Sequence, residues 1–255
     1  MCRTRLAWPP RRRSPPAPDM CTVTIVPLAD GFRLMCNRDE QHTRPAAQPP
    51  RWVHTHRADA LMPIDPQGGG SWIAVTGDGF AVTLLNRATD DLPAEGQPKH
   101  SRGELVMSLV SAGGIDTFIN AVRQIDPARY RAFQLVAVAG TEVVIATSHG
   151  TGIELATRTL SRPVAFTSSS LGDSAAERMR LPLFEALVVH AEDPLEGQRA
   201  FHAHRWPRCS TFSVLMCRSD ARTVSRSTVD VRAGVASFAY EALDFEASCW
   251  SSQPH

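Results

Sequence analysis

Lysine is almost absent from this chain. Lys99 is the only lysine among 27 basic residues, and this preference for arginine indicates a GC-rich genome, which we expect to be bacterial. The chain also lacks an excess of charge, since its formal net charge is +1, and this argues against a dedicated nucleic-acid-binding protein. No apolar run approaches the roughly 18 residues of a membrane-spanning helix. We therefore expect a globular protein with no nucleic-acid partner and no integral membrane association.

Cysteine is sparse as well. The 255 residues contain six cysteines, which form no C-x-x-C pair and whose irregular spacing does not fit a disulfide framework. This usage is typical of a reducing compartment, so we expect a cytoplasmic protein. A hydrophobic content of 43% is sufficient for a folded core. The sequence leaves the oligomeric state open.

The first nineteen residues differ from the rest of the chain. They contain five arginines and five prolines, and they lack the apolar core that a secretory signal needs. We interpret residues 1–19 as a disordered leader or as codons upstream of the true start, followed by a single domain over residues 20–255. A chain that starts at Met20 would lose this methionine, because the next residue is the small Cys21. Cys21 would then be the N-terminal residue.

The remaining segments form blocks of strands and blocks of helices. Two apolar runs, residues 22–28 and 32–37, are separated by a turn with Asp30-Gly31 and predict a β-hairpin. The proline-rich residues 45–66 predict a loop with one short strand at most. The other predicted strands cover residues 71–76, 80–86, 133–139, 143–148, 153–160, 164–167, 211–217, 223–231 and 235–244. The predicted helices cover residues 101–110, 116–124 and 194–202, with one more that starts at residue 174 and is kinked or broken by the proline at 182. This order predicts an α+β protein with antiparallel sheets packed together.

Cys21 is the first candidate for chemistry. An N-terminal cysteine carries its own base, because an α-amine with a pKa of about 7.7–8.0 is partly neutral at pH 7 and can accept the thiol proton. A carboxylate must orient this amine, and hydrogen-bond donors must stabilise the oxyanion that forms. The alternative is that Cys21 is buried and inert, as free cysteines often are.

A polar tetrad, Asn37-Arg38-Asp39-Glu40, follows the second strand of the predicted hairpin. A hairpin returns its second strand beside the first, so the tetrad can approach Cys21. Taken alone, a run of polar residues after a strand is usually a solvated loop.

Several segments together resemble the NRDE-domain family, whose eukaryotic members are the transport and Golgi organisation proteins. In chain order they are Met20-Cys21-Thr22, Asn37-Arg38-Asp39-Glu40, Arg44-Pro45, Gly69-Gly70-Ser71-Trp72-Ile73, Asn86 and Arg102-Gly103-Glu104-Leu105. The resemblance covers most of the chain from residue 20 and weakens after about residue 165. It implies the four-layer α/β/β/α sandwich of the N-terminal-nucleophile hydrolases. It also implies a more distant similarity to the penicillin V acylase and bile-salt hydrolase amidases.

The resemblance implies catalytic roles for Cys21, Asp39, Arg38 and Asn86. Cys21 matches the nucleophile, and Asn86 matches an asparagine of the oxyanion hole, although it could also be an ordinary turn residue. Arg38 and Asp39 correspond to an arginine and an aspartate that hold the amine and the thiol. The acylases separate that pair by two residues, whereas here the two are adjacent, and neighbours on a regular strand face opposite sides. We therefore favour Asp39 over Arg38, unless a bulge brings both into one pocket.

The resemblance also implies residues that contact the substrate. We expect Asn37, Trp72 and Ser169 in this role. The family places another asparagine where this chain has a run of serines at 168–170, so the second oxyanion donor is not identified. We expect no metal, since the pairs His54/His56 and His202/His204, the latter with Cys209 nearby, are more typical of surface histidines.

The predicted function is hydrolysis of an amide, or a related acyl transfer, through a thioester on Cys21. The substrate would be a small acylated molecule, and no cofactor would be needed. The alternative is a non-catalytic haem or lipid (acyl-chain) binding protein on the same fold, because the family is associated with haem and lipid homeostasis. In a third interpretation the tetrad only locks the hairpin.

Overall fold

The computed structural model describes residues 20–55, 57–87, 100–169 and 172–244. The predicted leader therefore lies outside the described residues. The strands are β1 (Met20–Leu28), β2 (Gly31–Gln41), β3 (Gln48–His54), β4 (Asp59–Ile64), β5 (Ile73–Thr76), β6 (Ala81–Asn86), β7 (Phe133–Ala139), β8 (Glu142–Ser148), β9 (Ile153–Thr159), β10 (Val164–Thr167), β11 (Ala221–Arg232) and β12 (Val235–Ala242). The helices are α1 (Gly103–Val110), α2 (Ile115–Val122), α3 (Asp173–Phe184) and α4 (Pro194–Ala203).

These strands form two antiparallel sheets. One sheet has five strands in the order β10-β1-β2-β11-β12, and the other has seven strands in chain order from β3 to β9. Apolar side chains from both sheets, such as Val23, Leu34 and Val136, are buried against one another between them. Removing this apolar surface from water is the main force that holds the two sheets face to face.

Helices cover the outer face of each sheet. Apolar residues of α1 and α2 pack on the seven-stranded sheet, with Phe118 and Leu135 in the same buried cluster. On the five-stranded sheet, Phe184 and Phe201 from the region of α3 and α4 pack against Val26 of β1. The resulting α/β/β/α order confirms the predicted four-layer sandwich.

The first hairpin is longer than predicted. β1 pairs with β2 through every residue from 20 to 28, and β2 continues to Gln41, so the tetrad lies within the strand rather than after it. Residues 34–40 of β2 are all buried, because the strand has the second sheet on one face and helices on the other. A strand buried on both faces lacks the alternation of polar and apolar residues that would mark its two sides.

Three predicted elements differ from the structure. Residues 45–66 contain two strands, β3 and β4, and Pro49 and Pro50 are accommodated because β3 is an edge strand. Residues 211–217 do not form a strand but begin in a short 3-10 turn at Ser210–Phe212. Pro182 does not end α3, which continues into a π-helical turn at Glu185–Val189.

Two further features complete the description of the fold. In the part of the chain that the structure describes, no helix combines the length and the apolar character needed to cross a membrane. Cys217 is disulfide-bonded, which the spacing of the cysteines did not predict. Since disulfides are uncommon in reducing compartments, this bond gives no support to a cytoplasmic location, which stays a prediction.

Candidate functional site

A cavity of about 460 Å³ lies where β1, β2 and β6 meet the start of α1. Most of its described wall is polar or charged. The described lining residues are Cys21, Arg38, Glu40, Gln41, Thr43, Arg44, Asp65, Gln67, Gly70, Ser71, Trp72, Leu84, Asn86, His100, Ser101, Arg102, Gly103 and Arg131. The structure therefore brings three of the four predicted catalytic residues, Cys21, Arg38 and Asn86, to one cavity.

Cys21 is held by backbone pairing on both sides of β1. Its Cα lies opposite that of Arg38 on β2. On the other side, the Cys21 N–H donates to Ser168 Oγ at 3.2 Å, and the Cys21 carbonyl accepts from the Ser168 N–H at 3.1 Å. The side chain is a reduced thiol, 4% exposed, at the cavity wall. These contacts fix the Cys21 backbone, and with it the direction of the Cα–Cβ bond, at the cavity wall.

The tetrad divides between the two faces of β2. Arg38 and Glu40 line the cavity, on the same face as Cys21. Asn37 and Asp39 face the opposite side of the sheet, where Asn37 donates to the His202 carbonyl of α4 and Asp39 accepts from Thr223 of the neighbouring β11. Of this adjacent pair, Arg38 lines the described cavity wall and Asp39 does not, while the preference for Asp39 as a catalytic residue stays a prediction. A bulge does occur here, but it lies on β11 between Thr223 and Ser225 and leaves β2 regular.

Four charged side chains at the cavity form a closed ring. Arg38 Nη2 is 3.0 Å from Glu40 Oε2 and 3.5 Å from Asp65 Oδ2. Arg44 contacts the same two carboxylates, with its Nε 3.6 Å from Glu40 Oε2 and its Nη2 bonded to Asp65. Burial acts to raise the pKa of Asp65, but the hydrogen bond and charge of Arg44, together with Arg38, lower it overall. The ring fixes the Arg38 guanidinium opposite Cys21.

The indole ring of Trp72 packs against the Arg38 guanidinium. The Arg38 Cζ atom lies 4.3 Å from the centroid of the indole ring, which is a cation–π contact. The Trp72 backbone is tied to β6, since its carbonyl accepts from the Leu84 N–H at 2.9 Å and from Thr83 Oγ1 at 3.0 Å. Trp72 thus lies at the predicted substrate site, and its indole face supports the arginine.

Asn86 is the last residue of β6 and lines the same cavity. Its side chain makes no hydrogen bond to another residue in the described ranges. The amide can therefore donate to an oxygen atom of a bound molecule, which is what an oxyanion donor must do.

Gly70 and Gly103 allow two of the motif segments, residues 69–73 and residues 102–105, to meet at the cavity. A Cβ atom on Gly70 would lie 2.3 Å from the backbone carbon of Gly103. A Cβ atom on Gly103 would lie 3.1 Å from the Ser71 nitrogen, whose N–H donates to the Gly103 carbonyl at 3.1 Å. The Gly-Gly-Ser-Trp segment and the start of α1 can pack this closely only without side chains at these positions.

Asp39 is a buried carboxylate on the helix side of the sheet. It is 1% exposed, and its Oδ1 accepts from Thr223 Oγ1 at 2.6 Å, while its Oδ2 has no hydrogen-bond partner among the described residues. Burial raises its pKa to about 6, although Arg180, the Thr223 hydroxyl and Arg218 act in the opposite direction. Asp39 is an incompletely satisfied acid on the strand next to the one that carries Cys21.

Asn37 ties the sheet to α4 rather than lining the cavity. Its Nδ2 donates to the carbonyls of His202 and Val214, both at 2.9 Å. Its Oδ1 therefore accepts from His202 Nδ1, at 2.9 Å, and His202 Nε2 accepts from Thr24 Oγ1 at 2.7 Å. His202 is held as a neutral ring, and burial, followed by Arg226 and Arg180, lowers its pKa to about 3. The structure places Asn37 in a structural network.

Ser169 does not appear in the described wall of the cavity. Its N–H donates to Asp173 Oδ1 at 2.9 Å, at the start of α3, whereas its neighbour Ser168 contacts Cys21. No group of three or more metal-binding side chains occurs within the described ranges. His56, of the predicted histidine pairs, lies outside them.

Sequence reasoning missed three residues. Glu40 could have been found, because residues 38 and 40 of a strand share a face. Asp65 lies 27 residues from Arg38 in the chain, and no local pattern marks it. Ser168 lies 147 residues from Cys21, and the resemblance marked its serine run without indicating the contact with the Cys21 backbone.

The structure is similar to a solved structure of another protein. A Caenorhabditis elegans N-acylethanolamine-hydrolyzing acid amidase (NAAA) ortholog superposes with a TM-score of 0.55 at 8% sequence identity, over 82% of this chain and 92% of that chain. At this identity the likeness shows the fold alone, a layered sandwich of the kind predicted from the sequence. No match is found among curated proteins.

The sequence gives a second and independent comparison. Residues 20–186 match the family model described as Transport and Golgi organisation 2. The match begins at the residue before Cys21 and includes the tetrad, Asn86 and the start of α3. It covers well over half of the chain. The protein therefore belongs to the Transport and Golgi organisation 2 family.

Proposed function

We propose that this chain is a cysteine N-terminal-nucleophile amidohydrolase or acyl transferase, with Cys21 as its nucleophile after removal of Met20. The observation that carries the proposal is the shared cavity of Cys21, Arg38 and Asn86. This cavity places a thiol, a fixed cation and an amide donor around one space. These are the parts that attack on a carbonyl group requires.

The proposed reaction has two halves. In the first, the Cys21 sulfur attacks the substrate carbonyl carbon, and the thiol proton passes to the Cys21 α-amine. The Asn86 amide donates to the oxyanion that forms. The carbon–nitrogen bond then breaks, the leaving amine takes the proton from the α-ammonium, and a thioester remains on Cys21. In the second half, water or another acceptor attacks the thioester and restores the thiol.

Asp39 has a place in this scheme once Met20 has been removed. The Cα atoms of Met20 and Asp39 are paired across β1 and β2, so the new α-amine of Cys21 would arise next to this acid. The ammonium formed during attack would give the unpartnered Asp39 Oδ2 a charged partner. Asp39 would then hold the amine from one side of the sheet, while Arg38 acts on the other.

The cavity wall favours a polar acyl group. Among the described lining residues, only Leu84 and Trp72 offer a large apolar side chain. A long acyl chain or a haem would need more apolar surface than these residues provide. The comparison structure is an amide hydrolase by its description, and this supports amides as the bond to test.

The experiment compares two forms of the protein. One form starts at Cys21 after removal of Met20, and the other retains residues 1–20. Both are screened against N-acylethanolamines, short polar N-acyl amides and thioesters, and intact-mass spectra are searched for an acyl adduct. We expect turnover and an adduct on Cys21 only in the processed form. Cys21→Ser should lose both, and Cys209→Ser, which changes a reduced thiol outside the described cavity wall, is the matched control.

Two results would contradict the proposal. One is equal turnover by the form that retains residues 1–20. The other is ligand binding that Cys21→Ser leaves intact, with no adduct in the parent protein. The second result would favour non-catalytic haem or acyl-chain binding.

A further inference from the structure

Arg180 of α3 is a buried cation without a direct ion pair. It has no accessible surface. Its Nη1 donates to the hydroxyl oxygens of Thr22 and Thr167, both at 2.8 Å. Its Nε and Nη2 donate to the carbonyls of Phe212 at 3.0 Å and Ser213 at 2.9 Å. All four acceptors are neutral, and no carboxylate lies within salt-bridge distance of Arg180 in the described ranges. Buried arginines are ordinarily paired with an anion, so this arrangement needs an explanation.

The position of Arg180 relative to Cys21 explains why a buried arginine without a direct ion pair lies here. Thr22 is the next residue after Cys21, and Thr167 is both its partner on β10 and the residue before Ser168. Ser168 in turn holds the Cys21 backbone. A single guanidinium nitrogen therefore bridges the two strands at the point where the candidate nucleophile is fixed.

The charges around Arg180 lead to the same residue. Burial lowers the pKa of Arg180, while Asp39 and the thiolate form of Cys21 act to raise it, and Arg218 acts as a like charge. Asp39 and the Cys21 thiolate are thus the two anionic groups whose charges act on Arg180. On the cavity face of the same sheet, Cys21 has Arg38 opposite it.

Other charged and titratable groups lie near Cys21 and Arg180 on the two faces of the sheet. On the cavity side, Arg38 is compensated by the carboxylates of Glu40 and Asp65, which it shares with Arg44. His100, Arg102 and Arg131 also line the cavity. On the helix side, the described charges that act on Arg180 are Asp39 and Arg218. The buried His202 ring also lies on this side, and Arg180 and Arg226 help to lower its pKa, so that it stays neutral at neutral pH.

We propose that Arg180 is a positioning residue of Cys21, which fixes β1 against β10 and supplies, from behind the sheet, positive charge that stabilises the Cys21 thiolate. The inference rests on the proposed function in that Cys21 is the nucleophile. Arg180 does not contact the substrate in this scheme. It acts through the strand and through its electric field.

The test measures the pH dependence of alkylation of Cys21 by iodoacetamide in the full chain, with the Cys21 peptide followed by mass spectrometry. Arg180→Gln removes the charge and keeps part of the hydrogen bonding. We expect the midpoint of the profile to rise by about one pH unit, which is roughly a tenfold slower reaction at neutral pH. Arg180→Lys, which keeps the charge, should return the midpoint to within a few tenths of a pH unit of the parent value.

Two controls make the result specific. Arg33→Met removes an arginine from the helix face of β2 whose partner is Asp230, and it should leave the midpoint unchanged. Arg180→Gln alone leaves Asp39 buried without its cation and could prevent folding. The double variant Asp39→Asn/Arg180→Gln removes both charges and is compared with Asp39→Asn alone, where the same rise is expected.

The outcomes separate this inference from the proposed function. If neither comparison moves the midpoint by more than about 0.3 pH units, a value well below the expected one-unit effect, Arg180 has no electrostatic role at Cys21 and the inference is overturned. That result would leave the dependence of turnover on Cys21 unaffected. Conversely, the alkylation profile can support the role of Arg180 in a protein that turns over no substrate, because its readout does not need catalysis.

Discussion

Replacing Asp39 by asparagine should stabilise the folded protein at neutral pH. The pKa of Asp39 is raised from its ordinary value of 3.8 to about 6, with burial as the main cause. The folded state therefore holds this proton more tightly than the unfolded state does, and the ionised carboxylate destabilises the fold above pH 6. At about 1.4 kcal/mol for each pKa unit, the difference corresponds to about 3 kcal/mol. Asparagine resembles the protonated acid, so Asp39→Asn should recover most of this free energy.

The assay is urea unfolding of the full chain and of Asp39→Asn between pH 4 and pH 8. The quantity to follow is the difference in the free energy of unfolding between the two proteins, because the parent profile alone is not diagnostic. His202, whose pKa is lowered to about 3, adds stability as pH rises through the same range and would mask the effect of Asp39. The difference should rise in favour of the variant from pH 4 and level off above pH 6–7.

A control of opposite sign is available at the cavity. The pKa of Asp65 is lowered overall by Arg44 and Arg38 against the effect of burial, so Asp65→Asn should destabilise the protein at neutral pH and less so in acid. The reasoning about Asp39 is refuted if the difference in the free energy of unfolding between Asp39→Asn and the parent does not change with pH.

In the form that begins at Cys21, the α-ammonium should stabilise the Asp39 carboxylate, so the gain in stability from Asp39→Asn should shrink.

Three further variants test other parts of the site. Asn86→Ala should lower kcat by roughly 10²–10³ if the amide donates to the oxyanion, with little change in unfolding, measured by steady-state kinetics on a substrate found in the screen. Gly70→Ala should cost about 2 kcal/mol or more, because its Cβ would lie 2.3 Å from Gly103, whereas Gly152→Ala, with open space around it, should be nearly neutral in the same urea titration. Asn37→Ala should destabilise the folded protein by about 3 kcal/mol, because it leaves the carbonyls of His202 and Val214 and the His202 ring N–H without partners. A loss of activity without loss of stability would instead indicate that Asn37 contacts the substrate.

Local patterns were sufficient to predict the parts of the fold that depend on neighbouring residues. The turn at Asp30-Gly31 predicted the first hairpin, and the helix predicted over residues 194–202 is α4. The Asp193 side chain caps α4 by accepting from the N–H groups of Leu195 and Glu196. The proline-rich segment was predicted as a loop, because prolines argue against a central strand. It contains strands because β3 is an edge strand and its pairing with β4 is irregular between Gln48 and Arg51, where Pro49 and Pro50 lie.

The candidate site was predictable only in part, for a physical reason. The alternation of side chains along β2 indicates that Arg38 and Asp39 face opposite ways, but it does not tell which of them faces the cavity. On a half-exposed strand the hydrophobic pattern would decide, whereas β2 is buried on both faces. Arg180 was not found at all, because it reaches Thr22 from 158 residues along the chain and carries no local signature.

The cost of Asp39 argues for function at this position. A buried carboxylate with one unpartnered oxygen, beside an arginine that has no direct ion pair, is less stable than a pair of apolar residues of similar size would be. Structural requirements alone therefore do not explain why the two charges lie behind Cys21. They are understandable if β1 carries a nucleophile, since a thiol and an amine that exchange a proton need fixed charges on both sides of the strand. The strand that contains Cys21 has such charges on both faces, with Arg38 on one and Asp39 and Arg180 on the other.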